Sequence, residues 1–138
     1  MINERAKAIL DFCFVETKID QWFQKNNDFD NILKDNFMND YLKAINNDYD
    51  NWIDSAEECV ALVILLDQLS RNFFRNSFKA YSYDTKCIMI VKDASLTIII
   101  HFVSYEYALK LFLKKFLDNW SSSITRATHS SALSIQLS

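Results

Sequence analysis

The chain has 138 residues, half of them apolar and 14% aromatic, with 15 basic against 18 acidic side chains and a net charge of −3. Such a chain can bury a core as one domain and is too apolar to be disordered, yet it lacks the positive field of a general nucleic-acid binder. It contains no glycine and no proline, which disfavours sheet-rich folds with their tight turns and excludes glycine-dependent phosphate loops, so Asn and Asp must supply turns and caps.

The N-terminal "MINERAKAILDF" is charged and amphipathic, unlike a secretory leader. Ala6, Ile9, Leu10, Cys13 and Phe14 recur at i, i+3, i+4, i+7 and i+8, which predicts an amphipathic helix over 6–14. Thr17 through Asp20 resembles a capping box ahead of a short apolar face of Ile19, Trp22 and Phe23. After the break "KNNDFD", a helix over about 29–46 turns Phe29, Ile32, Leu33, Phe37, Tyr41, Ala44 and Ile45 inward. "NNDYDNW" interrupts it.

Ser55-Ala56-Glu57-Glu58 has capping-box spacing at the head of the central helix, 56–72. From Cys59 to Leu66 that helix is apolar all round, as a fully buried rod would be. The run ends at Asp67, after which Gln68, Arg71, Asn72 and Arg75 follow at helical spacing. Asp84 caps a shorter helix, whereas the β-branched "SLTIIIHFV" fits a strand at least as well as a helix. Tyr105, Ala108, Leu109, Phe112, Leu113 and Phe116 mark one more helix, and the Ser-rich residues 119–138 read as a loose tail after a single domain over 1–118.

Three scattered cysteines, Cys13, Cys59 and Cys87, sit in apolar stretches and read as reduced core thiols of a cytoplasmic protein. With His101 and His129 far apart, they form no metal-ligand pattern, and no cofactor is expected. "LTIIIHFV" is too short to span a bilayer, so no membrane association is expected either. Residues 28–58 are acidic and 71–92 mostly basic, which predicts that the two segments face each other. Oligomeric state is left open.

The segments "ILDFCF", "WFQKNNDFDNI", Trp52, "ALVILLDQLSRNFFR" and "KAYSYD", taken in order, resemble a bacterial domain-of-unknown-function family, number nine hundred and twenty-four. Its pattern runs approximately VLDFWF, WW or WF, FD, W, LALILLDQFPRNMFRG and AFAYD, and the similarity covers about residues 9–92. Cys13 stands where that family usually has Trp, Leu69-Ser70 replaces Phe-Pro, and Asn76 replaces Gly. Beyond residue 92 the family's continuation is not evident, which leaves a diverged, truncated or frame-shifted tail as one reading. The resemblance implies an all-α fold of antiparallel helix pairs, similar to a tetratricopeptide stack, and no reaction.

The Asp67 block has two readings. Structurally, Asp67 and Arg71 are i,i+4 neighbours, and arginines near a helix C-terminus satisfy free carbonyls and favour the dipole. Functionally, Asp67, Gln68, Arg71, Asn72 and Arg75, with Tyr83 and Asp84 nearby, would form a pocket for an anionic small molecule or a partner's carboxylate. The structural reading ranks first. For the whole chain, the order is a protein- or peptide-interaction module, then a small-ligand or enzymatic domain built on this block, then a degenerate copy without activity.

Overall fold

A computed structural model describes residues 1–18, 20–21 and 24–103, with side chains as far as residue 94. Every regular element among the described residues is helical. The elements are α1 (Glu4–Asp11), α2 (Asn27–Ile45), α3 (Ala56–Val63), α4 (Ser70–Phe73) and α5 (Asp84–Val103), with single-turn 3₁₀ segments at Asp50–Asp54 and Phe78–Tyr81. Two wide turns of π type, Phe12–Glu16 and Ile64–Leu69, extend α1 and join α3 to α4. Residues 56–73 therefore form one continuous rod, close to the predicted 56–72.

In the absence of glycine, asparagine shapes the helix ends. Asn3 caps α1 by accepting from the Arg5 amide at 2.9 Å, and Asn26 caps α2 by accepting from Asp28 and Phe29 amides at 2.9 and 3.2 Å. Asn47 and Asn76 take the left-handed conformation, φ 68° and 64°, just beyond α2 and α4. There Asn is the best substitute for Gly.

The two expected capping boxes do not form. Ser55 stands at the N-cap of α3 but makes no side-chain cap. Its Oγ lies 3.5 Å from Glu57, and Glu58 accepts from the backbone amide of Asn3 at 2.7 Å, fastening α1 to α3. The Thr17 hydroxyl instead donates back to the Phe12 carbonyl at 2.7 Å, beside the Thr17 amide that closes the wide turn on the same oxygen at 2.9 Å. Ile19, Trp22 and Phe23 lie outside the described residues.

The rod from Cys59 to Leu66 is buried on every side, and α1 and α5 pack against α3. α2 lies across the wide turn and α4. Trp52 fills the end of the core, stacked on Tyr49 at 3.9 Å. All three cysteines are buried free thiols. Ile32 differs from expectation, standing 47% exposed, because the buried stripe of α2 runs Asp30, Leu33, Phe37, Asp40, Ala44, a 3-4-3-4 spacing that leaves Ile32 outside. The stretch read as strand or helix continues α5 as far as Val103, so α5 is longer than predicted. Strand preference of β-branched residues is weak and contextual, and helix growth needs no partner strand. The predicted helix at 105–116, His129 and the 119–138 tail lie outside the described residues, as does the side chain of His101.

Candidate functional site

The wide turn Ile64–Leu69 carries the Asp67 block out of the core. Asp67 is 3% exposed and accepts from the Gln68 side chain. Arg71 reaches back one turn, 3.1 Å from Asp67 Oδ1, and also donates to the Asp67 carbonyl. Its other nitrogen lies 3.3 Å from Asp84, the first residue of α5, and its guanidinium stands 5.1 Å over the Tyr81 ring. One guanidinium thus joins two carboxylates, a carbonyl and an aromatic face, tying the rod to the head of α5.

One turn on, Arg75 makes a bidentate pair with Asp30 of α2, at 2.6 and 2.8 Å, and Asn72 donates to the same carboxylate at 2.8 Å. Asp30 is 4% exposed. Burial opposes its ionisation most strongly. Hydrogen bonds from Arg75 and Asn72, with the charges of Arg75 and Lys34, together outweigh burial and hold the carboxyl below its ordinary range. Reciprocally, the Asp30 hydrogen bond raises Arg75 further.

The sequence-predicted residues therefore divide. Asp67, Gln68, Arg71 and Asp84 form one cluster; Asn72 and Arg75 form a second around Asp30. Tyr83 packs elsewhere: its ring meets Tyr41 edge-on at 6.1 Å, and it borders a shallow depression with Leu42, Lys43 and Ile45. Ser70 is 1% exposed with its hydroxyl 2.8–2.9 Å from the carbonyls of Leu66, Asp67 and Ala80. That bond network links the rod to the Phe78–Tyr81 turn.

A third cluster was not anticipated. Asp40, 2% exposed, is gripped by Arg5 at 3.1 and 2.6 Å and accepts from the Tyr49 hydroxyl at 2.7 Å. Burial, then this hydrogen bond, push the Tyr49 hydroxyl far above the ordinary phenol range. Asp30 and Asp40 share one signal that would have revealed both: each occupies an apolar-stripe position of α2. An acid there needs a cation from elsewhere, and the turn after α4 supplies Arg75 while α1 supplies Arg5.

The opposed acidic and basic segments do meet, at Asp30–Arg75 and at Asp50–Lys86. Lys86 also donates to the Ala44 carbonyl at 3.1 Å and to Asn47 at 2.7 Å, closing the C-terminus of α2. Two further concavities lie among the described residues. A small one of about 40 Å³ lies among Phe12, Thr17, Phe29, Gln68 and Asn72. A groove of about 460 Å³ runs between the Asp50–Asp54 turn, the head of α3 and α5. Among the described residues no His, Cys, Asp or Glu group could hold a metal ion, and no helix is long and apolar enough to cross a membrane.

A family model described as "Bacterial protein of unknown function (DUF924)" matches residues 9–113. No curated protein matches the chain. Among solved structures, a protein of unknown function from Agrobacterium tumefaciens is similar at 32% identity and TM-score 0.68, over 78% of this chain and 59% of that one. The chain thus spans less than two thirds of that relative's length.

Proposed function

The chain belongs to the DUF924 family of bacterial proteins, and from that premise we propose that it is a helical interaction module that captures a protein or peptide segment. A stack of antiparallel helix pairs of the tetratricopeptide kind, which the family resemblance implies, would offer grooves to extended or helical partners. One contrast carries the reading. The charged block is engaged internally, whereas Ile53 and Met89, 46% and 63% exposed, flank an open groove. Exposed apolar side chains beside a concave surface are a common mark of association. Three buried free thiols suit a reducing compartment, which supports a cytoplasmic location.

A second reading, an anionic small molecule at the Asp67–Arg75 block, draws on the partial exposure of Arg71 and Arg75, 21% and 27%. Against it, both guanidiniums already face carboxylates that a second anion would have to displace. Fluorescence anisotropy with labelled amphipathic peptides, a few turns long and built from Leu with Lys, Leu with Glu, or Leu with Ser, tests the module. Saturable binding of one or more supports it; no binding by any of the three overturns it. Phosphate or citrate raising the melting temperature, with loss of that shift in Arg71→Ala, would favour the second reading.

A further inference from the structure

We propose that the captured segment is basic and apolar, and that it docks in the groove between the Asp50–Asp54 turn, the head of α3 and α5. This rests on the module reading and narrows it to one surface and one partner chemistry. The groove has an apolar interior of Ala56, Cys59 and Ile90, with Ile53 and Met89 exposed along it. A volume of about 460 Å³ suits a few large aliphatic side chains, within the ordinary range of ligand clefts.

Its charge is one-sided. Among the described residues that line it, Asp50, Asp54 and Asp93 stand against one cation, Lys86. That ammonium is engaged by Asp50, Asn47 and the Ala44 carbonyl, so it closes α2 and does not offset the other two acids. Asp54 and Asp93 are exposed. An apolar channel with two acids beside it repels anions and acidic peptides, and it complements a helix whose apolar face is flanked by Lys or Arg. Lys86 also fixes the shape: by holding the 47–50 loop against α5, it keeps one wall of the groove in place before any partner arrives.

The test uses the full chain and the three labelled peptides. The Leu/Lys peptide should bind saturably and more tightly than the Leu/Glu and Leu/Ser peptides, and should weaken as salt rises. Asp54→Asn with Asp93→Asn should lower its affinity about tenfold, the equivalent of two rim charges. Met89→Lys should lower it further, while circular dichroism shows the fold intact. Asp28→Asn with Asp35→Asn, exposed acids of α2, should leave binding unchanged; an equal loss there would show diffuse attraction and overturn the docking site. Equal binding of the Leu/Glu or Leu/Ser peptide, or indifference to the groove substitutions, overturns the inference while the module stands. Failure of all three peptides overturns the module itself. Self-association abolished by Met89→Lys would put a second copy in the groove and overturn a basic partner.

Discussion

Arg75→Ala removes two of the three hydrogen bonds that described groups give Asp30, leaving the Asn72 amide at 2.8 Å. The Asp30 side chain is only 6% exposed, so water cannot fully replace the guanidinium. Removing one partner of a fully buried pair costs about 3–5 kcal/mol. Arg75 is 27% exposed, and some solvent will enter the vacated space, which discounts the expectation to about 2–3 kcal/mol. For a chain of this length that is a drop in melting temperature of roughly 8–12 °C. Urea unfolding followed by circular dichroism would measure it, together with Asp30→Asn and the double variant.

The sign with pH is fixed as well. A carboxyl depressed in the folded state gives stability that is full above its unfolded pKa, about 3.9, and is lost as pH falls through the lower folded value. The advantage of the native chain over Asp30→Asn should therefore hold at neutral pH and shrink below about pH 4. A loss under about 0.5 kcal/mol, with additive single and double variants, would refute the account of Asp30 as a buried acid that needs its cation.

Three further outcomes are expected. Asn76→Gly should be neutral or stabilising by up to about 1 kcal/mol, whereas Asn76→Val should destabilise by about 1–2 kcal/mol, both read from thermal melts, since φ at this position is 64°. Ser70→Ala should cost about 1–2 kcal/mol in the same assay, because the buried Leu66, Asp67 and Ala80 carbonyls lose their shared donor. The thiols should resist a thiol reagent at pH 8 until denaturant is added, since burial pushes Cys13 up to about 12, Cys59 up to about 11 and Cys87 well above its ordinary value. Fast labelling of the native chain would contradict that burial.

Periodicity located the central rod, because an all-apolar run flanked by acid and arginine has few other ways to satisfy itself. It also placed α1 and α2 within a few residues. The missing glycines pointed to asparagine at helix ends, and Asn3, Asn26, Asn47 and Asn76 take those roles. The charged block was found, but not its partition: nothing local links Arg75 to Asp30, 45 residues earlier. That pairing depends on how α2 crosses the rod. Asp40 was passed over for the opposite reason, since reading only the apolar members of a stripe hides the acids within it. The capping box at Ser55 failed because Glu58 accepts from the Asn3 amide at the head of α1, and the one at Thr17 because that hydroxyl donates back to Phe12, neither of which spacing can reveal.

The wide turn at Ile64–Leu69 has a consequence for the angular phase of the rod. Each residue of an ordinary helix advances about 100°, so one residue accommodated in a broadened turn re-aims everything downstream by about that much. Upstream of it, α3 meets α1 and α5; downstream, α4 meets α2, with Arg71 and Arg75 pointing at different neighbours. Excising a single position there would swing both arginines off their targets together while leaving each side chain intact. The geometry of this protein's ionic lattice is thus tuned by length as much as by residue identity.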